Sequence, residues 1–425
     1  MAVLSPRVLV EGLDVNSSEF GLLRDLMGRL KTRLLAGTVP GAEFTGWLRL
    51  PADIERDLAR ITELASQVGR GSDSLVVVGI GGSYLGARAA FEALGRSAHG
   101  VDLLWAGWSL SPVVARRLFA ALEGRDFSIN VISKSGGTME PALAFRLLAQ
   151  RAQARYGDGW KDRVIVTTDP AKGALRRWAD DQRVSALGIP PSVGGRFSVL
   201  SPVGLLPLAA AGVDVRSLVS GAREMQRVVE ESSADADPTV VYAATRCALE
   251  QRGRAVEVLA LPGPELDQFG EWWRQLAGES EGKNGAGIWP SLLTLTPDLH
   301  SVGQFLQDGR RMIQETFLAF DEQDTDPLIP ALSPVSDGLD VLGGRALGSV
   351  NRIALEGTRD AHRGGGVPGV TITSQRLDAY CLGQLFYFFE VAVALTALFH
   401  GVNPFDQPGV EAYKKNVKAR FDSLA

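Results

Sequence analysis

The strongest constraint on this chain is a unit that recurs along it: a short, mainly apolar strand, a glycine-bearing loop, then an amphipathic helix. The runs at 75–80, 103–106, 128–133 and 164–168 read as strands, with helices expected up to about Gly95 and over 139–156. Strands that are apolar at every position are buried on both faces, and their alternation with helices argues for a parallel α/β sheet. After a helical stretch from about Val215 to Glu250 the pattern resumes. Strands are expected at 255–261, 289–296, 311–320 and 370–373, and helices at 339–356, 377–400 and 410–424. Residues 1–68 read as helical and amphipathic, and 321–336, rich in Asp and Pro, as a surface excursion. The simplest account has two sheet-bearing halves meeting near Gly212. The expected division is a helical segment 1–68, α/β domains 69–212 and 213–376, and a C-terminal helical segment 377–425.

A length of 425 residues fits two or three domains with full cores. The net charge of −5 calls for neither nucleic acid nor an anionic membrane as partner. Cys247 and Cys381 form no CxxC pair and fit reduced thiols of a cytoplasmic protein. No signal peptide is visible at the N-terminus. The most apolar segment, 385–399, is 15 residues long and contains Glu390, so it reads as a buried helix and not a membrane span.

Two strand–loop–helix junctions carry hydroxyls among glycines. One runs Gly79-Ile-Gly-Gly-Ser-Tyr-Leu-Gly86, the other Ser133-Lys-Ser-Gly-Gly-Thr138. Such loops point backbone N–H groups at an anion beside a helix N-terminus. Either loop alone reads equally well as a tight turn; the three hydroxyls of the second favour phosphate. A dinucleotide site is disfavoured, because Tyr84 replaces the third glycine and no acidic residue ends the second strand. Ala87 stands where a P-loop needs lysine.

Gly194-Gly195-Arg196-Phe197-Ser198 sets an arginine after two glycines, either a solvent-facing turn or an oxyanion stabiliser. Gly278-Glu279-Ser280-Glu281-Gly282-Lys283 brackets two carboxylates with glycines, either an exposed turn or the seat of a general base. Of the four histidines, His99, His300, His362 and His400, none pairs with another at a zinc-ligand spacing, so no catalytic metal is expected. Asn403-Pro-Phe-Asp-Gln-Pro-Gly-Val-Glu-Ala-Tyr-Lys414 is a structured loop entering a helix.

These motifs, in this order, resemble the phosphoglucose isomerase family. Val193-Gly-Gly-Arg-Phe-Ser-Val-Leu-Ser-Pro202 and Phe405-Asp-Gln-Pro-Gly-Val-Glu-Ala-Tyr-Lys414 are the most specific stretches. The length and the glycine pair Gly136-Gly137 are similar to the compact bacterial branch. The resemblance implies two sugar-isomerase-type (SIS) α/β sandwich domains, each around a mainly parallel sheet. It implies a substrate and phosphate cradle of Gly82, Ser83, Ser133, Lys134, Ser135 and Thr138. Gln275 and Gln407 become sugar contacts. Glu279 becomes the base that moves a proton between C1 and C2, Arg196 the stabiliser of the enediolate, and His300 and Lys414 the groups that open the ring. No metal or redox cofactor is required. The implied partners are a small sugar phosphate and a second copy of the chain, in a dimer where His300 enters the partner's site. Two rival readings are a non-catalytic sugar-phosphate regulator of the same fold, and an isomerase that also accepts mannose 6-phosphate.

Overall fold

The computed structural model describes residues 6–322, 325, 327–331, 335 and 337–422. It departs from the expected helical N-terminus at once, because Arg7–Glu11 is a strand, β1. Its first four residues alternate in exposure, as befits an edge strand, and its hydrogen-bonding partner lies some 360 residues away. Helices follow at Ser18–Leu35 and Glu55–Gly71. The second buries Leu58, Ile61, Leu64, Ala65 and Val68, a stripe at helical spacing.

The first sheet contains β2 (Ser74–Val78), β3 (Asp102–Ala106), β4 (Phe127–Ile132), β5 (Val164–Thr168) and β6 (Ser185–Gly188). Its order is β3-β2-β4-β5-β6 and every pair is parallel. The second holds β7 (Val256–Leu261), β8 (Trp289–Thr294), β9 (Ile313–Phe320) and β10 (Gly369–Ser374), in the order β1-β10-β9-β7-β8. Only β1 runs antiparallel. The sequence missed β6, a four-residue, partly exposed edge strand.

Side-chain alternation splits the core. Leu75 and Val77 of β2, with Leu259 and Leu261 of β7, belong to one apolar core shared by both halves. Val76 and Val78 face a smaller cluster under the first sheet, and Val258 and Ala260 a matching one under the second. Through the shared core runs the Ala379–Phe399 helix, every residue from Cys381 to Leu398 buried. It is long and apolar enough to cross a membrane, yet 89% of its most apolar window is covered by protein. Truncating Leu385 there removes wholly buried volume, a change costing about 2–5 kcal/mol.

Two expected helices are corrected. The 215–250 stretch is two helices, Val215–Glu231 and Pro238–Gln251, because Asp237 caps the second and Pro238 occupies its first turn. The helix expected at 339–356 is Leu347–Gly364. Gly343 and Gly344, the latter at φ +78°, end a short turn before it begins.

Candidate active site

Two glycines set the geometry. A Cβ on Gly82 would lie 2.1 Å from the Gly195 carbonyl and 2.6 Å from the Arg196 nitrogen. Gly81 has φ +56°, and a Cβ there would lie 2.8 Å from Gln275 Nε2. Only glycine lets the turn after β2 touch both the Arg196 loop and the Asp267–Glu281 helix.

Arg196 sits in the short turn Gly195–Phe197 and is 3% exposed. Its Nε donates to Ser280 Oγ at 2.9 Å. Nη1 donates to Glu279 Oε2 at 3.1 Å and to Gln407 Oε1 at 3.0 Å. Nη2 donates to the Pro404 carbonyl and, at 3.1 Å, to that of Asp406. Each of the five guanidinium N–H donors thus has an acceptor. Burial lowers the Arg196 pKa, and the Glu279 carboxylate opposes that shift. The neighbouring rings fix both loops: Phe197 stacks on Trp47 at 4.8 Å and meets Phe405 edge-on at 5.5 Å.

Gln275 and Glu279 are four apart on the Asp267–Glu281 helix and share a face; Gln275 Nε2 donates to Glu279 Oε1 at 2.9 Å. Glu281 faces the other way. It is fully buried against Arg246, with Nη1 at 2.6 Å from its Oε1. Of the two carboxylates in the motif, only Glu279 opens towards the cleft, its side chain 31% exposed.

The second loop, after β4, is linked through Lys134 to the segment that precedes Arg196. Ser133 Oγ accepts from the Gly136 N–H at 3.0 Å, and Ser135 Oγ from that of Gly137 at 3.2 Å. Both hydroxyls accept from the backbone and keep a proton to donate. Thr138 precedes the Met139–Tyr156 helix and makes no side-chain cap bond. Lys134 ties the loop to the Arg196 segment by donating to the carbonyls of Pro191 (2.7 Å) and Val193 (3.2 Å). Burial pulls the Lys134 pKa down.

The expected residues do not all converge. Gly82, Arg196, Gln275, Glu279 and Gln407 form one connected group: Arg196 meets Gly82, Glu279 and Gln407, and Glu279 meets Gln275. Ser83 belongs to the same Gly81–Ser83 turn. Lys414 is exposed on the Glu411–Asp422 helix and donates to Glu411 at 2.8 Å. That bond raises its pKa, with a smaller contribution from Glu279. His300 ends the Pro297–His300 turn after β8, exposed and outside the group.

Sequence reasoning assigned no part to Ser280, Lys283, Pro404 or Asp406. Lys283 donates to the Asn403 carbonyl and pairs with Asp406 Oδ1 at 3.1 Å, tying the helix end to the C-terminal loop. Its position inside the 278–283 motif was the available signal. Among the described residues, Cys247, Glu250 and His400 could hold a metal ion, their ligand atoms within 4.8 Å of one another. None of them bonds to Glu279 or Arg196; His400 Nε2 meets Glu250 Oε2 at 2.6 Å.

Residues 57–290 match the family described as Phosphoglucose isomerase. The glucose-6-phosphate isomerase of Heliobacterium modesticaldum is 47% identical over 393 residues, 90% of this chain and 88% of that one. That of Exiguobacterium sibiricum is 44% identical over 416 residues, 95% and 93% of the two chains. A hypothetical protein of Thermus thermophilus superposes with a TM-score of 0.89 at 27% identity, covering 98% of this chain and all of that one. The crystal structure of a glucose-6-phosphate isomerase from Chlamydia trachomatis shares the fold, with a TM-score of 0.82 at 18% identity over 98% and 88% of the chains.

Proposed function

This chain belongs to the phosphoglucose isomerase family, and we propose that it interconverts glucose 6-phosphate and fructose 6-phosphate by moving one proton between C1 and C2. The observation that carries this reading is the Arg196–Glu279 pair at 3.1 Å, flanked by Gln275 and Gln407 at the Gly81–Gly82 turn. A carboxylate can take the C2 proton and return it to C1. A guanidinium beside it offsets charge on the enediolate between the two transfers.

Ser133, Ser135, Thr138 and backbone N–H groups after β4 would take the phosphate, with Lys134 and Ser83 alongside. Holding that remote group positions the reacting carbons. Gln275 and Gln407 would contact the sugar hydroxyls. His300 and Lys414 would move protons on and off the ring oxygen and the C1 hydroxyl. We also propose that the chain divides near Gly212, whose φ of +78° separates the Pro202–Ala210 helix from Val215–Glu231. A cytoplasmic location belongs to the same reading.

A homodimer with shared sites belongs to the same reading, and the place of His300 supports it. Glu279 is next to the amino end of β8, since a Cβ on Gly278 would lie 3.7 Å from Pro290 Cγ. His300 follows the carboxyl end of the same strand, and six residues of strand span about 20 Å. That separation favours a histidine that serves a second copy.

The relatives do not favour the regulator reading. Purified protein is expected to convert fructose 6-phosphate to glucose 6-phosphate in a coupled assay. Binding without turnover would return the chain to the regulators, and equal turnover of mannose 6-phosphate would widen its specificity.

A further inference from the structure

The Asp267–Glu281 helix ends two residues after Glu279, and the chain that follows, Gly282-Lys-Asn-Gly-Ala-Gly287, is half glycine. Final helical turns fray unless something holds them, and glycine contributes little stiffness. Yet Glu279 must be held to a fraction of an ångström to transfer a proton.

Besides the Arg196 and Lys283 contacts described above, this turn is held by a fully buried ionic cluster. Arg246, on the Pro238–Gln251 helix, donates from Nη1 and Nη2 to both oxygens of Glu281, at 2.6 and 3.2 Å. Its Nε donates to Glu257 Oε2 on β7 at 2.6 Å, and Nη1 also donates to Thr396 Oγ1 at 2.8 Å. Glu257 Oε1 in turn accepts from Tyr242 and from Thr316 of β9, each at 2.6 Å. One guanidinium faces two carboxylates, and all three groups are wholly inaccessible. Burial pushes the Glu281 carboxyl up, and Arg246 opposes that push. Buried ion clusters rarely stabilise a fold more than apolar side chains of equal volume would. A bidentate guanidinium does fix direction.

We propose that Arg246 and Glu281 are positioning residues: through the last turn of the Asp267–Glu281 helix they fix where the Glu279 carboxylate stands over the substrate. This rests on the reading of Glu279 as the base. Neither residue touches substrate.

The test replaces the charged cluster by uncharged groups of similar volume, Arg246→Met/Glu257→Gln/Glu281→Leu, in which the glutamine can still accept from Tyr242 and Thr316, beside the milder Thr396→Val, which removes one bond to Arg246. Each is compared with wild type for Tm, kcat, KM, binding of 6-phosphogluconate, and the isotope effect with C2-deuterated glucose 6-phosphate. The triple variant is expected to fold and bind 6-phosphogluconate as before, to lose about 10²-fold in kcat, and to show a larger isotope effect. Thr396→Val is expected to move kcat and the isotope effect the same way by a smaller factor. A folded triple variant with wild-type kcat, or one with lower kcat and an unchanged isotope effect, overturns the proposal. If the triple variant does not fold, Thr396→Val decides, and an unaltered kcat and isotope effect there overturn it. Glu279→Gln, assayed in parallel, separates the two readings: turnover in that variant sinks the base, whereas its loss alongside an unaffected cluster variant sinks only the positioning role.

Discussion

The two sheets supply the candidate site from opposite ends. In the first, each contributing segment follows the carboxyl end of a strand: Gly81–Ser83 after β2, Ser133 to Thr138 after β4, Arg196 after β6. That is where parallel sheets usually take ligands. In the second, the Asp267–Glu281 and Ala379–Phe399 helices leave the carboxyl ends of β7 and β10 and run back. Their far ends therefore bring Glu279 and the 403–407 loop to the amino edge. The polar cores differ too. On the strands of the first sheet the buried polar side chains are neutral, with Asn130 donating to the Ile165 carbonyl and to Thr167 Oγ1. The second sheet buries charge: Arg246 with Glu257 and Glu281, and Glu315 with His362 and Arg363. On the proposed reading, one half would grip an anion with loops, and the other would aim ionised groups from the ends of anchored helices.

Breaking the aiming half should have the largest effect. Glu279→Gln keeps the shape but cannot accept a proton, so kcat should fall by about 10²–10⁴-fold while substrate binding survives. Turnover near wild type would move the base elsewhere. Stability should divide along the same line. Glu315→Ala takes from His362 its ion-pair partner and leaves Arg363 only Glu11, and should cost about 3–5 kcal/mol. Asn130→Ala should cost about 1–3 kcal/mol. Urea unfolding measures both, and the reverse order would erase the contrast between the cores.

In the gripping half, Thr138→Val or Ser135→Ala removes one donor to a dianion. The expected loss is about 1.5–3 kcal/mol of affinity, seen in KM and in inhibition by 6-phosphogluconate. Unchanged inhibition would take the phosphate away from this loop. A finer test concerns the carboxyl edge that the second sheet leaves to His300. Co-expressing Glu279→Gln with His300→Ala should restore about a quarter of wild-type activity, because about half of random dimers are mixed and each has one intact site. A mixture as inactive as its parents would put His300 in its own chain's site. The smallest effect expected is none: dialysis against EDTA should leave activity intact. Loss reversed by a divalent metal would direct attention to Cys247, Glu250 and His400.

Legibility in the sequence follows the same physics. β2, β4, β5 and β7 could be read because strands buried on both faces are mostly apolar, with few polar interruptions. The Met139–Tyr156 helix begins and ends where expected, closed by Gly157 at φ +59°. β1 could not be read, since it is short and half exposed and is defined by a partner far along the chain. Within the site, Gln275 and Gln407 were reachable only by resemblance, because nothing local marks a glutamine. Glu279 and Glu281 look alike in Gly-Glu-Ser-Glu-Gly. Two residues apart on a helix they diverge by about 200°, and their partners, Arg196 and Arg246, lie 83 and 35 residues away. The motif fixes where two carboxylates occur, and tertiary contacts decide which one is pinned in the core.

The pairing of β1 with β10 also has a consequence in time. Glu11 and the Thr371 hydroxyl it accepts from are 360 residues apart. At about 5–20 residues per second of synthesis, the first strand made waits roughly 20–70 s for its neighbour. During that interval its backbone edge is open to any other strand, including one on a neighbouring ribosome. Its sequence, Arg-Val-Leu-Val-Glu, carries a charge at each end. Those charges guard the edge while the strand is alone, and Arg7 then meets Asp321 at 2.7 Å once the second sheet arrives.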